Sequence, residues 1–275
     1  MSDPTINPIA FIGGGNMASA IIGGLLGQGY SASQIHVVEP FDEARQKLFT
    51  SFGISAQPAP GPVLAQATLV VWAVKPQTFK EAAQQTRAHT ARALHLSVAA
   101  GITSDSIARW LGTERIVRAM PNTPALIGKG ITGLFARPAA TRADRQAVEK
   151  IIASTGESVW LDSEGQLDAV TALSGSGPAY VFYFLEAMTE AGAQMGLARE
   201  QAHTLAVATF IGAGELARAS AEPPDVLRQR VTSKGGTTHA AITSMEGNQI
   251  KALFVQAMLA AQVRAGEMGR EFGSE

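Results

Sequence analysis

Three consecutive glycines open a segment, Gly13–Ala18, that fits the pattern G-x-G-x-x-A between an apolar β-rich run and an apolar helical stretch. Gly13 permits the tight turn, Gly15 lets backbone amides approach a pyrophosphate, and Ala18 lets the helix pack closely on the strand. The start of the helix supplies N–H groups and a favourable dipole for phosphates. This context predicts a dinucleotide-binding unit rather than a glycine-rich turn without a ligand. The predicted cofactor-binding residues of this loop are Gly13, Gly14, Gly15, Asn16, Met17 and Ala18.

Apolar, β-rich runs alternate with helical stretches through residues 1–163. Nearly continuous apolar strands separated by helices indicate a mainly parallel sheet that is covered on both faces. We therefore predict an α/β fold in which a doubly wound, Rossmann-type dinucleotide-binding domain occupies residues 1–163. The predicted strands are Ile9–Gly13, Ile35–Glu39, Ala67–Val74, Ala93–Ala99, Arg115–Met120, Ile131–Ala136 and Ser158–Leu161.

The strand pattern stops after about residue 164, where apolar residues recur at helical spacing instead. We predict an all-helical domain over residues 164–275. Because a helical unit of this size is thin for an independent core, we expect it to bury one face against a second subunit.

Composition and charge argue against several classes of function. The chain has 275 residues and a formal net charge of −1, so no electrostatic footprint points to nucleic acid or to an anionic membrane. It has no cysteine, which excludes disulfides, thiolate catalysis and cysteine-ligated metals. The start MSDPTINPIAFIGGG lacks a basic region before an apolar core, and no apolar run is long enough to span a bilayer. We therefore expect a cytoplasmic protein without a signal peptide.

The second predicted strand ends at Glu39, near the place where an acid usually binds the adenosine ribose hydroxyls. A carboxylate there would repel a 2′-phosphate, which favours NADH. Arg45 is close enough in sequence to bind a 2′-phosphate instead, and a solvated acid at a strand end is the plain alternative for Glu39. Whether the cofactor is NADPH or NADH therefore stays open.

Loops after later strands are expected to complete the cofactor site, because ligands of such sheets bind beyond the carboxyl ends of the strands. Ala73 and Val74 end the third predicted strand, Lys75 and Pro76 follow it, and Asn122 follows the fifth. Lys75 can contact a ribose or a phosphate, with an ordinary surface lysine as the alternative.

Two segments in the helical half combine small polar residues with the start of a helix. One is Ser174–Tyr180, which reads SGSGPAY, and the other is Val231–Ala241, which reads VTSKGGTTHAA. Consecutive amides and hydroxyls at a helix start form a good seat for a carboxylate. Two capped helix starts are the alternative, since serine and threonine are common caps.

Six segments together resemble the pyrroline-5-carboxylate reductase family: FIGGGNMA, AVKPQ, SVAAGI, RAMPNTPA, AVTALSGSGPAYVF and VTSKGGTTHAAI. The resemblance runs nearly the whole length and is far more specific than the glycine loop alone. It implies a dinucleotide domain followed by a helical domain that forms intertwined dimers, and decamers built from those dimers. The implied activity is reduction of 1-pyrroline-5-carboxylate to L-proline with NADPH or NADH, the last step of proline biosynthesis.

The same resemblance implies roles for single residues. Thr238 matches the catalytic threonine whose hydroxyl lies near the pyrroline nitrogen. Lys75 and Pro76 match a loop that contacts the cofactor, and Asn122 matches a loop beside the nicotinamide. The implied substrate-binding residues are Val231 and Ser233 at the ring, Gly235, Gly236 and Thr237 as the carboxylate seat, and Glu222 as an acid that precedes this loop.

The chain departs from the family pattern at three places. Lys234 stands where the family commonly has proline, so the loop gains flexibility and a positive charge that can assist an anionic substrate. Pro223-Pro224 replaces a more usual His-Pro pair, which puts any histidine role there in doubt. Glu39 replaces the small or basic residues of relatives suited to NADPH.

Three other functions share some of these sequence features. A β-hydroxyacid dehydrogenase resembles the same two-domain plan but uses a lysine on a long helix of the second domain, and no lysine occurs between Lys150 and Lys234. A dinucleotide-binding sensor or scaffold is disfavoured by the two small-residue segments but stays open. A metal enzyme is set aside, because the five histidines show no paired metal-ligand spacing.

Overall fold

The computed structural model describes residues 8–273, and seven strands of that part of the chain form one sheet. The expectation that the chain starts without a signal peptide rests partly on residues 1–7. These residues lie outside the described part of the chain. The strands are β1 (Ile9–Ile12), β2 (Ile35–Val38), β3 (Leu69–Trp72), β4 (Leu94–Ser97), β5 (Ile116–Met120), β6 (Gly130–Ala136) and β7 (Gly156–Trp160). Each predicted strand is confirmed, with ends that differ by a few residues.

The strands lie in the order β2-β1-β3-β4-β5-β6-β7, with parallel pairing everywhere except between β5 and β6. The chain reverses there through a short 3₁₀ turn, Thr123–Ile127, because a parallel pair would need a longer crossover. The mainly parallel sheet that the sequence predicts is therefore confirmed.

Helices cover both faces of the sheet and create two apolar cores. Phe11 of β1 packs in one core with Ile21 and Leu25, while its neighbour Ile12 packs in the other core with Phe79. Successive residues of a strand point to opposite faces, so a strand covered on both sides is apolar throughout. The helices of this part are α1 (Asn16–Gly27), α2 (Asp42–Phe52), α3 (Pro76–Thr90), α4 (Ser104–Leu111), α5 (Arg142–Ile152) and α6 (Gln166–Val170).

The second half is helical, as predicted. Within it Gly192 lets two helices approach closely, since a Cβ there would lie 2.6 Å from the Cβ of Ala202. Phe254 packs edge-on against Tyr180 and Phe184, with ring centroids 5.6 and 5.5 Å apart. The helices are α7 (Gly177–Gln194), α8 (Arg199–Ala219), α9 (Pro224–Arg230), α10 (Thr237–Gly247) and α11 (Ile250–Gly273).

The described chain divides into two compact units, residues 8–176 with 261–273 and residues 177–260. The first unit extends past residue 163 because α6 packs on the sheet, where a Cβ on Gly133 would lie 2.8 Å from the Val170 side chain. The end of α11 also belongs to it, since Ser106 Oγ donates to the Gly273 carbonyl at 2.9 Å. The division into a dinucleotide-binding domain (residues 1–163) and a helical substrate-binding and dimerisation domain (residues 164–275) stays a prediction.

The second unit exposes many large apolar side chains. Phe182, Tyr183, Leu205, Leu216 and Leu253 are all more than half exposed. Such a surface is typical of a protein that buries a face against another chain. Within residues 8–273, no helix combines the length and apolarity needed to cross a membrane.

The core of the first unit holds a neutral histidine. The indole N–H of Trp72 donates to Nδ1 of His95 at 3.0 Å, so Nδ1 is unprotonated in the native state. The His95 side chain is 1% exposed. Burial lowers the pKa of His95 from 6.5 to about 4, because charging the ring would place an ion in an apolar interior.

This histidine makes stability depend on pH. Between pH 6.5 and about 4, His95 is protonated in the unfolded chain and neutral in the folded chain. The free energy of unfolding is therefore highest above pH 6.5 and falls by about 3 kcal/mol as the pH drops through this window. Urea unfolding at several pH values measures the slope. His95→Asn should flatten it, and His203→Asn, which removes an exposed histidine, should not. Equal slopes in the wild type and His95→Asn would contradict the assignment.

Candidate active site

The glycine loop connects β1 to α1 and packs against the loop that follows β3. Gly13 has φ +96°, and a Cβ there would lie 2.5 Å from the Ala73 carbonyl oxygen and 3.1 Å from Val74 Cγ1. Only glycine fits both this conformation and this close approach. The structure thus brings together the loop after β1 and the loop after β3, as the sequence predicts.

The start of α1 offers a cradle for phosphates. No side chain caps this helix start, and a Cβ on Gly15 would meet no atom within 4 Å, so open space lies over the loop. Asn16 is exposed at the first turn, Met17 is half-buried against the core, and Ala18 is fully buried. Uncapped N–H groups beside open space fit a dinucleotide pyrophosphate.

Glu39 is bonded to the glycine loop itself. Its Oε2 accepts the backbone N–H of Gly14 at 2.7 Å, and its Oε1 accepts the backbone N–H of Phe41 at 2.9 Å. The side chain is 5% exposed, which argues against a merely solvated acid at the end of the strand. Sequence spacing locates this acid but does not reveal its bond to Gly14.

Two further predicted residues lie at the same edge of the sheet. Lys75 is exposed at the start of α3, with Pro76 as the first residue of that helix. Asn122 is 9% exposed, and its Oδ1 accepts the Ile131 backbone N–H at 3.0 Å. This bond uses only the carbonyl oxygen of the amide, so the side-chain NH₂ group keeps its donors for a ligand.

A π-helical turn, Thr171–Gly175, lies between α6 and α7 and includes the start of the SGSGPAY segment. A Cβ on Gly175 would lie 2.6 Å from Cε of Met120, so the SGSGPAY segment contacts the end of β5. Single π turns are common at functional sites. The sequence marks this segment as a possible seat but does not predict its π geometry.

The predicted substrate loop lies in the second unit and ends at α10. Gly235 has φ +78°, and a Cβ on Gly236 would lie 2.8 Å from Ser233 Oγ. No side chain caps the start of α10 at Gly236. The hydroxyl of Thr238, the second residue of α10, makes no hydrogen bond within the described residues. Val231 and Lys234 are exposed beside it.

Glu222 carries an unpaired, buried carboxylate oxygen. Its Oε1 accepts from Arg230 at 2.5 Å, while its Oε2 is buried and has no partner among the described residues. Arg230 directly precedes Val231, so this bond ties the acid to the start of the substrate loop. Sequence reasoning missed this role of Arg230, and the only signal was its opposite charge. A buried acceptor without a donor is costly unless a ligand supplies one.

The structure therefore collects the predicted residues into two groups. The cofactor group lies in the first unit at the carboxyl ends of β1, β2, β3 and β5. The substrate group lies in the second unit, in the turn before α9 and the loop before α10.

Comparisons with known proteins agree with this arrangement. A family model described as pyrroline-5-carboxylate reductase dimerisation matches residues 164–268, and one described as NADP oxidoreductase, coenzyme F420-dependent, matches residues 8–101. A pyrroline-5-carboxylate reductase of Pseudomonas aeruginosa is 44% identical over 275 residues, which cover 99% of this chain and 100% of the relative.

Two solved structures are similar over nearly their whole length. A pyrroline-5-carboxylate reductase of Coxiella burnetii has a TM-score of 0.89 and 38% identity, covering 96% of this chain and 99% of that one. A pyrroline carboxylate reductase of Plasmodium falciparum, solved with NADP bound, has a TM-score of 0.86 and 27% identity, covering 96% and 98%.

Proposed function

The chain belongs to the pyrroline-5-carboxylate reductase family, and we propose on that basis which of its residues bind and orient the substrate. The reaction reduces 1-pyrroline-5-carboxylate to L-proline with NADPH or NADH, the last step of proline biosynthesis. A hydride goes to the imine carbon and a proton to the imine nitrogen. The nicotinamide dinucleotide supplies the hydride, and the protein supplies placement and electrostatics.

The loop before α10 holds the substrate carboxylate. The amides of Gly236, Thr237 and Thr238 lie at the uncapped start of an 11-residue helix, where N–H groups and the helix dipole favour an anion. Gly235 and Gly236 let the backbone approach the carboxylate, and Val231 and Ser233 border the ring. Lys234 adds a nearby positive charge that attracts the anionic substrate.

Thr238 orients the imine. Its hydroxyl is unengaged in the protein and can hydrogen-bond to the pyrroline nitrogen. A threonine hydroxyl is too weak an acid to protonate the nitrogen by itself, so its role is to position the ring and to relay a proton from water.

The strongest structural support for an imine substrate is the unpaired carboxylate oxygen of Glu222. A protonated imine is a cation, and a carboxylate close to it stabilises that positive charge. Glu222 therefore favours the protonated imine, the form that accepts hydride readily. Its bond to Arg230 keeps the acid in place beside the substrate loop.

Glu222→Gln tests this role. The change keeps the shape of the side chain and removes its charge, so kcat/KM for 1-pyrroline-5-carboxylate should fall at least about tenfold, with KM for the cofactor unchanged. Glu246→Gln is the matched control, because Glu246 forms an exposed ion pair with Arg228 at 2.9 Å. Wild-type kcat/KM in Glu222→Gln would remove the acid from the mechanism.

The chain self-associates through its dimerisation domain, and the finer assembly, intertwined dimers joined into decamers, is part of the proposal. The exposed apolar side chains of the second unit support a large interface between subunits. Sedimentation velocity at micromolar concentration should give a dimer or a larger species. A monomer under those conditions would contradict the assembly.

A cytoplasmic location completes the proposal. It is supported by the absence of cysteine from the sequence, which leaves the chain without any need for an oxidising compartment. Fractionation of the source cells should recover the activity with cytoplasmic markers, and recovery with an exported fraction would contradict this location.

A further inference from the structure

The carboxylate of Glu39 is fixed at the end of β2, within the dinucleotide loop. Both of its oxygens accept backbone N–H groups, from Gly14 at 2.7 Å and from Phe41 at 2.9 Å. The Gly14 contact places the negative charge directly against the loop that receives the pyrophosphate. Each oxygen still has a second lone pair, so the carboxylate can also accept hydroxyl donors.

The backbone of Glu39 is held as firmly as its side chain. Its N–H donates to the Gln57 carbonyl at 2.8 Å, and its own carbonyl accepts from Arg45 at 2.9 Å. The side chain is 5% exposed. The Glu39 carboxylate therefore cannot turn away to admit a second anion without losing both of its side-chain hydrogen bonds.

Among residues 8–273, the cation nearest in sequence to this carboxylate is already engaged. Arg45, the residue that could bind a 2′-phosphate, donates to the carbonyls of Glu39 and Pro40 and forms an ion pair with Asp42. Asp42 and Glu43 add two acids in the first turn of α2. Lys47, the next cation, lies in the second turn of that helix.

We propose that Glu39 makes this reductase selective for NADH over NADPH. The acid at the end of the second strand of such folds binds the ribose hydroxyls of the adenosine. In this chain it accepts the 2′-hydroxyl of NADH, whereas the 2′-phosphate of NADPH would meet a fixed negative charge, and Arg45 is already engaged by Pro40 and Asp42. Discrimination then comes from a repulsive element as well as from an attractive one. The inference rests on the reductase activity and deepens it.

Calorimetric binding of NAD⁺ and NADP⁺ to the full chain, without pyrroline substrate, tests the proposal together with kcat/KM for NADH and NADPH. The wild type should favour the cofactor without the phosphate at least about tenfold in both measurements. Glu39→Gln should reduce that ratio at least about tenfold. The amide keeps one acceptor oxygen and so loses one of the two backbone contacts, which affects both cofactors alike. Glu81→Gln, which removes an exposed acid of α3 that accepts a hydrogen bond from Gln85, is the matched control and should keep the wild-type ratio.

The possible results distinguish a failure of the NADH-selectivity proposal from a failure of the reductase activity. Equal binding of NAD⁺ and NADP⁺, a preference for NADP⁺, or an unchanged ratio in Glu39→Gln would overturn the role of Glu39 while leaving the reductase intact. Failure of either dinucleotide to bind folded protein would contradict the cofactor site as a whole, and the specificity proposal with it.

Discussion

Replacing Gly13 with alanine is expected to destabilise the protein by about 3 kcal/mol and to abolish dinucleotide binding. Gly13 has φ +96°, which strains any residue with a Cβ, and that Cβ would lie 2.5 Å from the Ala73 carbonyl oxygen. The contacted atom belongs to the backbone, so the loop after β3 must move. Urea unfolding measures the loss of stability, and calorimetry with NADH measures the loss of binding.

Gly15→Ala is the matched control, and it separates folding from ligand approach. Gly15 has φ −72°, and a Cβ there would meet no atom within 4 Å. Stability should be unchanged or slightly raised, because alanine loses less freedom on folding. The new methyl group stands where the pyrophosphate approaches, so NADH affinity should fall at least about tenfold. Wild-type stability of Gly13→Ala, or wild-type NADH affinity of Gly15→Ala, would contradict this account of the loop.

Thr238→Ala is expected to lower turnover by roughly ten- to a thousandfold, within the range of such polar contacts. The reason is that the Thr238 hydroxyl, unengaged within the protein, is the group proposed to hold the imine nitrogen. Turnover is measured with both substrates saturating, and KM for the cofactor should not change.

Two variants accompany this measurement. Thr238→Ser keeps the hydroxyl and should restore most of the turnover. Thr232→Ala removes a hydroxyl that already donates to the Arg228 carbonyl at 2.6 Å, so it should leave turnover nearly unchanged. Near-normal turnover in Thr238→Ala would remove Thr238 from the mechanism.

The fold of the first unit was largely predictable. A sheet covered on both faces needs nearly continuous apolar strands, and these apolar runs can be recognised directly in the sequence. The direction of β6 was not predictable, since parallel and antiparallel strands carry the same apolar pattern. The end of the first unit was also hidden. The packing of α6 on β6 depends on Gly133 facing Val170, a tertiary contact that composition does not encode.

The candidate site was predictable where function depends on the backbone and less so where it depends on distant partners. Glycines directly before a predicted helix start indicate an anion-binding site from sequence alone. The bond from Glu39 to Gly14 joins residues 25 positions apart, and the bond from Arg230, the last residue of α9, reaches back to Glu222 before that helix. Neither pairing follows a local pattern, so only the folded chain reveals them.

The most direct test of the central claim follows the oxidation of NADH and of NADPH separately, with and without 1-pyrroline-5-carboxylate, and measures the L-proline formed. Oxidation should depend on the imine, yield one L-proline for each cofactor oxidised, and proceed more efficiently with NADH. Folded protein that oxidises neither cofactor in the presence of the imine would contradict the account.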